Sequence, residues 1–206
     1  MLYHRGSTHS LWFGPVVGAP IGWLLWRWRD GEPTRRLAWI GLCVLALFTH
    51  PLLDGFTPYG TQFFAPFSRE RFAWNGIGII DPIYTALLAI GVVAGWWSVR
   101  KRRLAAALAL GLSTAYLGYG VWVNHTAERD LRKTFASDAQ LELRVYPTLL
   151  QPWLRRFVAR TPEETRVGWY TAWRREEPWW ETFHKPAPDE RVQELRSTWE
   201  GRTFVW

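Results

Sequence analysis

The 206 residues contain a single cysteine, Cys43. No disulfide can close within the chain, and no zinc site can be built from cysteines. Cys43 lies inside an apolar run, where a thiol is shielded and inert. Internal repeats and low-complexity tracts are also lacking. The first residues lack the compact basic region, clean apolar run and small-residue cleavage site of a cleavable signal peptide, so they are expected to belong to the mature protein. Acidic residues are scarce in residues 1–127, where basic ones outnumber them more than twofold, whereas residues 128–206 are close to balance. The excess arginines sit in short clusters flanking hydrophobic segments, a pattern of membrane topology rather than of nucleic-acid binding.

The near-neutral mean hydropathy hides a split between an apolar first part and a charged, aromatic second part. Four apolar runs occupy residues 11–26, 37–53, 77–99 and 104–123. The first is short and interrupted by Gly14, Pro15, Gly18, Pro20 and Gly22, which a bilayer tolerates better than water does. Pro51 is expected to kink or stop the second run. Asp81-Pro82 reads as an N-cap followed by proline at the first helical position. Sixteen tryptophans fit a chain with membrane–water interfaces, because the indole is apolar but carries one polar N–H.

Two basic loops, 27–36 and 100–103, separate the runs. With about four spans they fall on one side, and the positive-inside rule makes that side cytoplasmic. Residues 1–10, the long loop after Asp54 and everything after Val123 then share the outer face. Topology alone brings His4, His9, His50, Asp54, Asp81 and His125 to one surface. The expected fold is an all-α polytopic membrane bundle of about four transmembrane helices with a small soluble α+β C-terminal appendage. The division falls between residues 1–127 and 128–206. In the appendage a polar helix is expected over 127–140, strands over 141–146, 153–160 and 166–173, and a helix over 189–199.

His50 and Asp54 are spaced i, i+4 and face one side of a helix. An imidazole nitrogen and a carboxylate oxygen suit zinc or another transition metal, although a hydrogen-bonded pair at a helix end has the same spacing. His4 and His9 are five residues apart, about 140° around a regular helix, so either this segment is a loop or one of the two only supports the ligands. Arg5 either anchors an anionic substrate or snorkels to the interface. Asp81 is a cap, a catalytic or supporting group, or both. His184 is expected to be solvated, without a partner at ligand spacing.

The segments H-R-G-S-T-H-S (4–10), H-P-L-L-D (50–54), T-P-Y-G-T-Q-F-F-A-P-F-S (57–68) and I-D-P (80–82), in this order, resemble the YdjM-like membrane-bound metal-dependent hydrolases of bacteria over residues 3–125. The resemblance implies a multi-pass inner-membrane protein with a divalent-metal site, and a distant similarity to zinc-dependent phospholipases C favours phosphoester chemistry. The family usually carries an apolar helix and an acidic element before H-R-G, and an aliphatic residue where this chain has Pro51. A further apolar, acidic segment encoded upstream is therefore expected.

These readings combine into a hydrolase at the extracytoplasmic membrane face. A divalent metal, zinc foremost, would be held by His4, His9, His50 and Asp54, with Arg5 and Asp81 serving the reaction. The expected partners are membrane lipids and a lipid-like or amphipathic substrate, not nucleic acid. The alternative is a non-catalytic scaffold whose polar cluster is a structural metal or a hydrogen-bonded knot.

Overall fold

The computed structural model describes residues 7–138, 140–173, 177–185, 194 and 197–199. A 3-10 turn, Ser7–His9, leads into helix α1, Phe13–Arg29, and α2 follows over Arg36–Gly55. A loop connects α2 to α3, Pro82–Trp97, which is followed by the long helix α4, Arg102–Thr134. Four strands complete the described elements: β1 Glu142–Pro147, β2 Leu154–Arg160, β3 Glu164–Thr171 and β4 Trp179–His184.

The helices pack as two antiparallel hairpins, α1 on α2 and α3 on α4. In α1 the glycines are the packing face. A Cβ on Gly18 would lie 2.8 Å from the Val44 Cα, and one on Gly22 would lie 2.6 Å from the Ile40 Cα. Gly14 meets Phe48 in the same way. Glycine at every fourth position removes side chains from one stripe and lets two backbones touch, the main source of packing energy where lipid cancels the hydrophobic drive. The second hairpin closes similarly, with Gly91 against Ala109.

Helical segments Pro33–Gly55 and Arg102–Thr134 are long and apolar enough to cross a membrane. Against the expected four, α1 and α3 fall short of that length, at 17 and 16 residues. The run over 77–99 shortens because the cap at Asp81 sets the helix start and Ser98 leaves helical geometry at its end. The stop expected at Pro51 does not occur: α2 runs on to Gly55 with Pro51 buried inside it. Proline forfeits the backbone bond to the Leu47 carbonyl, and the helix nonetheless continues for one more turn.

α4 has 33 residues and runs unbroken through residues 127 and 128. At about 1.5 Å per residue it is far longer than a bilayer core is thick. Its last turns leave the apolar part and cover a sheet. The strands form an antiparallel meander in the order β1-β2-β3-β4. Ala127, Leu131 and Phe135 pack against Leu143, Val145, Phe157 and Ala159, all buried. Gly168 opposes both Phe157 and Trp180 in register, and a Cβ there would run into both side chains. The appendage thus has four described strands rather than three, and the end of α4 supplies its helix. The helix expected over 189–199 lies largely outside the described residues.

Tyr170 ties the sheet to α4, donating its hydroxyl to Asp130 Oδ2 at 2.8 Å. Burial first, then the neighbouring carboxylate, push its phenol up from 10.0 to about 12. Folding therefore favours the protonated phenol. Its contribution is complete below the unfolded value of 10.0 and is lost as pH climbs towards about 12. Alkaline unfolding of the detergent-solubilised chain, followed by far-ultraviolet circular dichroism, should steepen across this window in wild type and be shallower in Tyr170→Phe. Superimposable profiles would refute the bond.

Candidate metal centre

The site begins at the C-terminal turns of α2. Helical spacing puts His50 and Asp54 on one face, and Asp54 Oδ2 lies 3.7 Å from His50 Nε2. Thr57 holds this end of the helix, donating both its N–H and its hydroxyl to the Asp54 carbonyl at 3.0 and 2.7 Å.

The third member arrives from the start of the chain. His9 ends the 3-10 turn, and the Leu11 N–H donates to the Phe63 carbonyl at 3.0 Å, which pins this turn to the loop after α2. Ser10, almost wholly buried, closes the turn by donating its hydroxyl to the Ser7 carbonyl at 2.8 Å. His9 Nε2 comes within 3.5 Å of Asp54 Oδ2, and the two imidazole rings stand 5.2 Å apart. Thr8 Oγ1 lies 3.0 Å from His9 Nδ1, which leaves Nε2 facing the cluster.

One ligand atom from each of His9, His50 and Asp54 falls within 4.8 Å of the others. In a tetrahedral zinc site, metal–ligand bonds of about 2.0–2.2 Å set ligand atoms roughly 3.3 Å apart. Both carboxylate–imidazole distances, 3.5 and 3.7 Å, are close to that value. Two imidazoles and one carboxylate are a donor set that suits zinc. Asp54 is the most shielded of the three and His50 is 61% exposed, so the cluster is open on the histidine side.

Asp81 lies elsewhere. Its Oδ1 accepts the N–H groups of Ile83 and Tyr84, both at 3.0 Å, and its Oδ2 accepts the Tyr116 hydroxyl at 3.0 Å. It caps α3, is 4% exposed, and does not belong to the three-residue cluster. His125 is exposed on α4 and also stands outside that cluster. His4 and Arg5 lie outside the described residues. His184 is 82% exposed, solvated as expected, although its Nδ1 lies 3.8 Å from Glu164 Oε2.

Sequence reasoning missed Tyr116 and Arg155. Tyr116 is a hydroxyl inside an apolar run, which is itself a signal that a buried acceptor awaits it. Arg155 shares the inner face of β2 with Phe157 and Ala159 and is 1% exposed. An arginine at a core position of an alternating strand is the signal that could have singled it out. Burial pushes its guanidinium down to about 10, partly offset by Tyr116, Tyr119 and Asp81.

No curated protein and no solved structure matches the chain. A family model described as YdjM inner membrane protein matches residues 1–127. The match spans more than half of the chain and contains the whole His9–His50–Asp54 cluster, so the chain belongs to the YdjM inner membrane protein family.

Proposed function

We propose that this inner-membrane protein is a multi-pass, metal-dependent hydrolase whose site opens on the extracytoplasmic face. The observation that carries the reading is the convergence of His9, from the N-terminal motif, on the His50–Asp54 pair of α2. His9 and His50 would bind a divalent ion, zinc foremost, through Nε2, and Asp54 would bind it through Oδ2, with His4 a further ligand. Such an ion supplies a Lewis acid that activates water and polarises a phosphoryl or carbonyl oxygen. Arg5 would hold an anionic group of the substrate. Asp81 would serve the site at a distance, by fixing α3 against α4 through Tyr116. A phosphoester or lipid-like substrate fits a site at the end of apolar helices. The test is metal analysis of the detergent-purified chain together with its turnover of a chromogenic phosphodiester. A metal-free preparation that stays inactive when zinc is added would sink the reading.

All four helices are taken to cross the membrane. α1 lies against α2 along the stretch from Gly14–Phe48 to Gly22–Ile40, so the two share the same depth. α3 pairs with α4 in the same way. Both basic turns, 27–36 and 100–103, then lie remote from the cluster, on the cytoplasmic side. Alkaline phosphatase fused after Trp206 should be active, and a fluorescent protein in its place dark. The reverse pattern would overturn the orientation and with it the outer-face site.

The scaffold reading keeps one observation in its favour: a single carboxylate between two imidazoles is also how a metal-free polar knot is built. Metal content separates the two.

A further inference from the structure

Arg155 belongs to the appendage, beyond the segment that the family model matches, yet it is buried against that segment. Its Nη2 donates to two carbonyls, Gly120 of α4 at 2.7 Å and Gly76 of the loop at 3.2 Å. Its Nη1 reaches the Leu154 carbonyl at 3.4 Å. The contact depends on glycine on both sides. A Cβ on Gly120 would collide with the Gly76 backbone, and one on Gly76 would press on Val121. Asn75, at φ 51, makes the left-handed step that presents Gly76 to the guanidinium. Two further contacts flank it: the Leu149 side chain covers Gly78, and Trp173 Nε1 donates to the Tyr119 hydroxyl at 2.6 Å.

Gly76 is also bonded towards the cluster. Its N–H and that of Ile77 both donate to the Phe56 carbonyl, at 2.8 and 3.1 Å. Phe56 lies two residues after Asp54, and the Trp74 N–H donates to the Gly55 carbonyl beside it at 2.8 Å. A continuous set of hydrogen bonds therefore runs from the appendage, through Gly76 and Phe56, to the end of α2 that presents Asp54. A buried guanidinium is costly to place, and among the described residues its Nε finds no acceptor, so the carbonyls that its two terminal nitrogens reach are what holds it there.

We infer that Arg155 is a positioning residue for the His9–His50–Asp54 cluster, and that the appendage is a clamp on the loop between α2 and α3. The inference rests on the metal-binding reading above. Outer contacts that orient ligands typically change metal affinity by about 10–100-fold when removed.

The experiment uses the full chain in detergent, as wild type, Arg155→Met and Arg155→Lys. Cobalt(II) binding is titrated by its ligand-field absorption, and amide hydrogen exchange is followed over the loop and the strands. Arg155→Met should bind cobalt about tenfold more weakly at unchanged stoichiometry. The Gly76 and Ile77 amides should exchange about tenfold faster while β1–β3 stay protected. Arg155→Lys keeps the charge and should recover part of both effects. Arg155→Met with wild-type affinity and wild-type exchange would overturn the inference. Faster exchange with unchanged affinity would restrict Arg155 to holding the loop and would equally overturn its role at the cluster. Should the methionine variant lose strand protection, the lysine variant decides by the same two readouts. A wild type that takes up no cobalt defeats the metal reading itself, and the exchange at Gly76 and Ile77 alone then decides whether Arg155 positions the segment next to Asp54.

Discussion

Asp54→Ala should leave the detergent-purified protein without a tightly bound divalent ion and without hydrolytic activity. Asp54 supplies the only carboxylate of the cluster, and its Oδ2 lies 3.5 Å from one imidazole and 3.7 Å from the other. Removing it takes away both the negative charge and the atom that both histidines face. With apparent binding energies of about 10–16 kcal/mol spread over four ligands, each is worth roughly 2.5–4 kcal/mol. The loss of affinity should therefore be on the order of 10²–10³-fold. His50→Ala should lose a similar amount, because Nε2 of an i, i+4 partner cannot be replaced from elsewhere on α2. Thr8→Ala should cost only about tenfold, since it orients His9 rather than binding the ion. His184→Ala should change nothing: that ring is exposed at the end of β4, and its ion-pair partner is Glu164, not a member of the cluster. Inductively coupled plasma analysis of the four variants measures this order. Equal metal content in wild type, Asp54→Ala and His50→Ala would remove the site and leave the polar-knot reading standing.

The pair His50–Asp54 was legible because helical periodicity is local and needs no knowledge of the fold. His9 was legible by a longer route, since counting spans and basic loops brings it to the same end of the bundle. The choice of Asp81 as a group serving the reaction illustrates what such counting leaves open. It places residues on a side, not within a few ångström, and Asp81 spends its oxygens on the α3 cap and Tyr116. The glycines of α1 were visible but read as interruptions. Their four-residue spacing acquires meaning only when a second backbone lies against it. Strand β4, with Trp179, Trp180 and Phe183, has strand-like composition, yet its pairing with β3 is a non-local fact. Arg155 was hidden for the same reason. Its partners are carbonyls at positions 76 and 120, and main-chain acceptors carry no signature in the sequence.

Gly22→Leu should disrupt the first hairpin more severely than any substitution on the exposed surface of the helices. A Cβ at position 22 would stand 2.6 Å from the Ile40 Cα and 2.7 Å from the Trp39 carbonyl oxygen. Neither obstacle is a flexible side-chain end, so α1 must move away from α2 as a whole. Gly18→Leu meets the Val44 backbone at 2.8 Å and should behave alike. Separating two touching helices forfeits dispersion contacts along the entire stripe, and lipid restores only part of them. Overpacking in well-packed cores costs about 1–3 kcal/mol, and contact with backbone places these two at or above the upper end. The effect should reach the cluster, because α1 carries the turn that delivers His9 and α2 carries His50 and Asp54. Gly41→Leu and Gly111→Leu are the matched controls. Nothing lies within 4 Å of a Cβ built at either position, so both should fold like wild type. Unfolding in mixed micelles, followed by circular dichroism alongside cobalt(II) binding, measures both consequences. Gly22→Leu with wild-type stability would show that the glycine stripe does not hold α1 to α2, and that His9 reaches Asp54 by some other support.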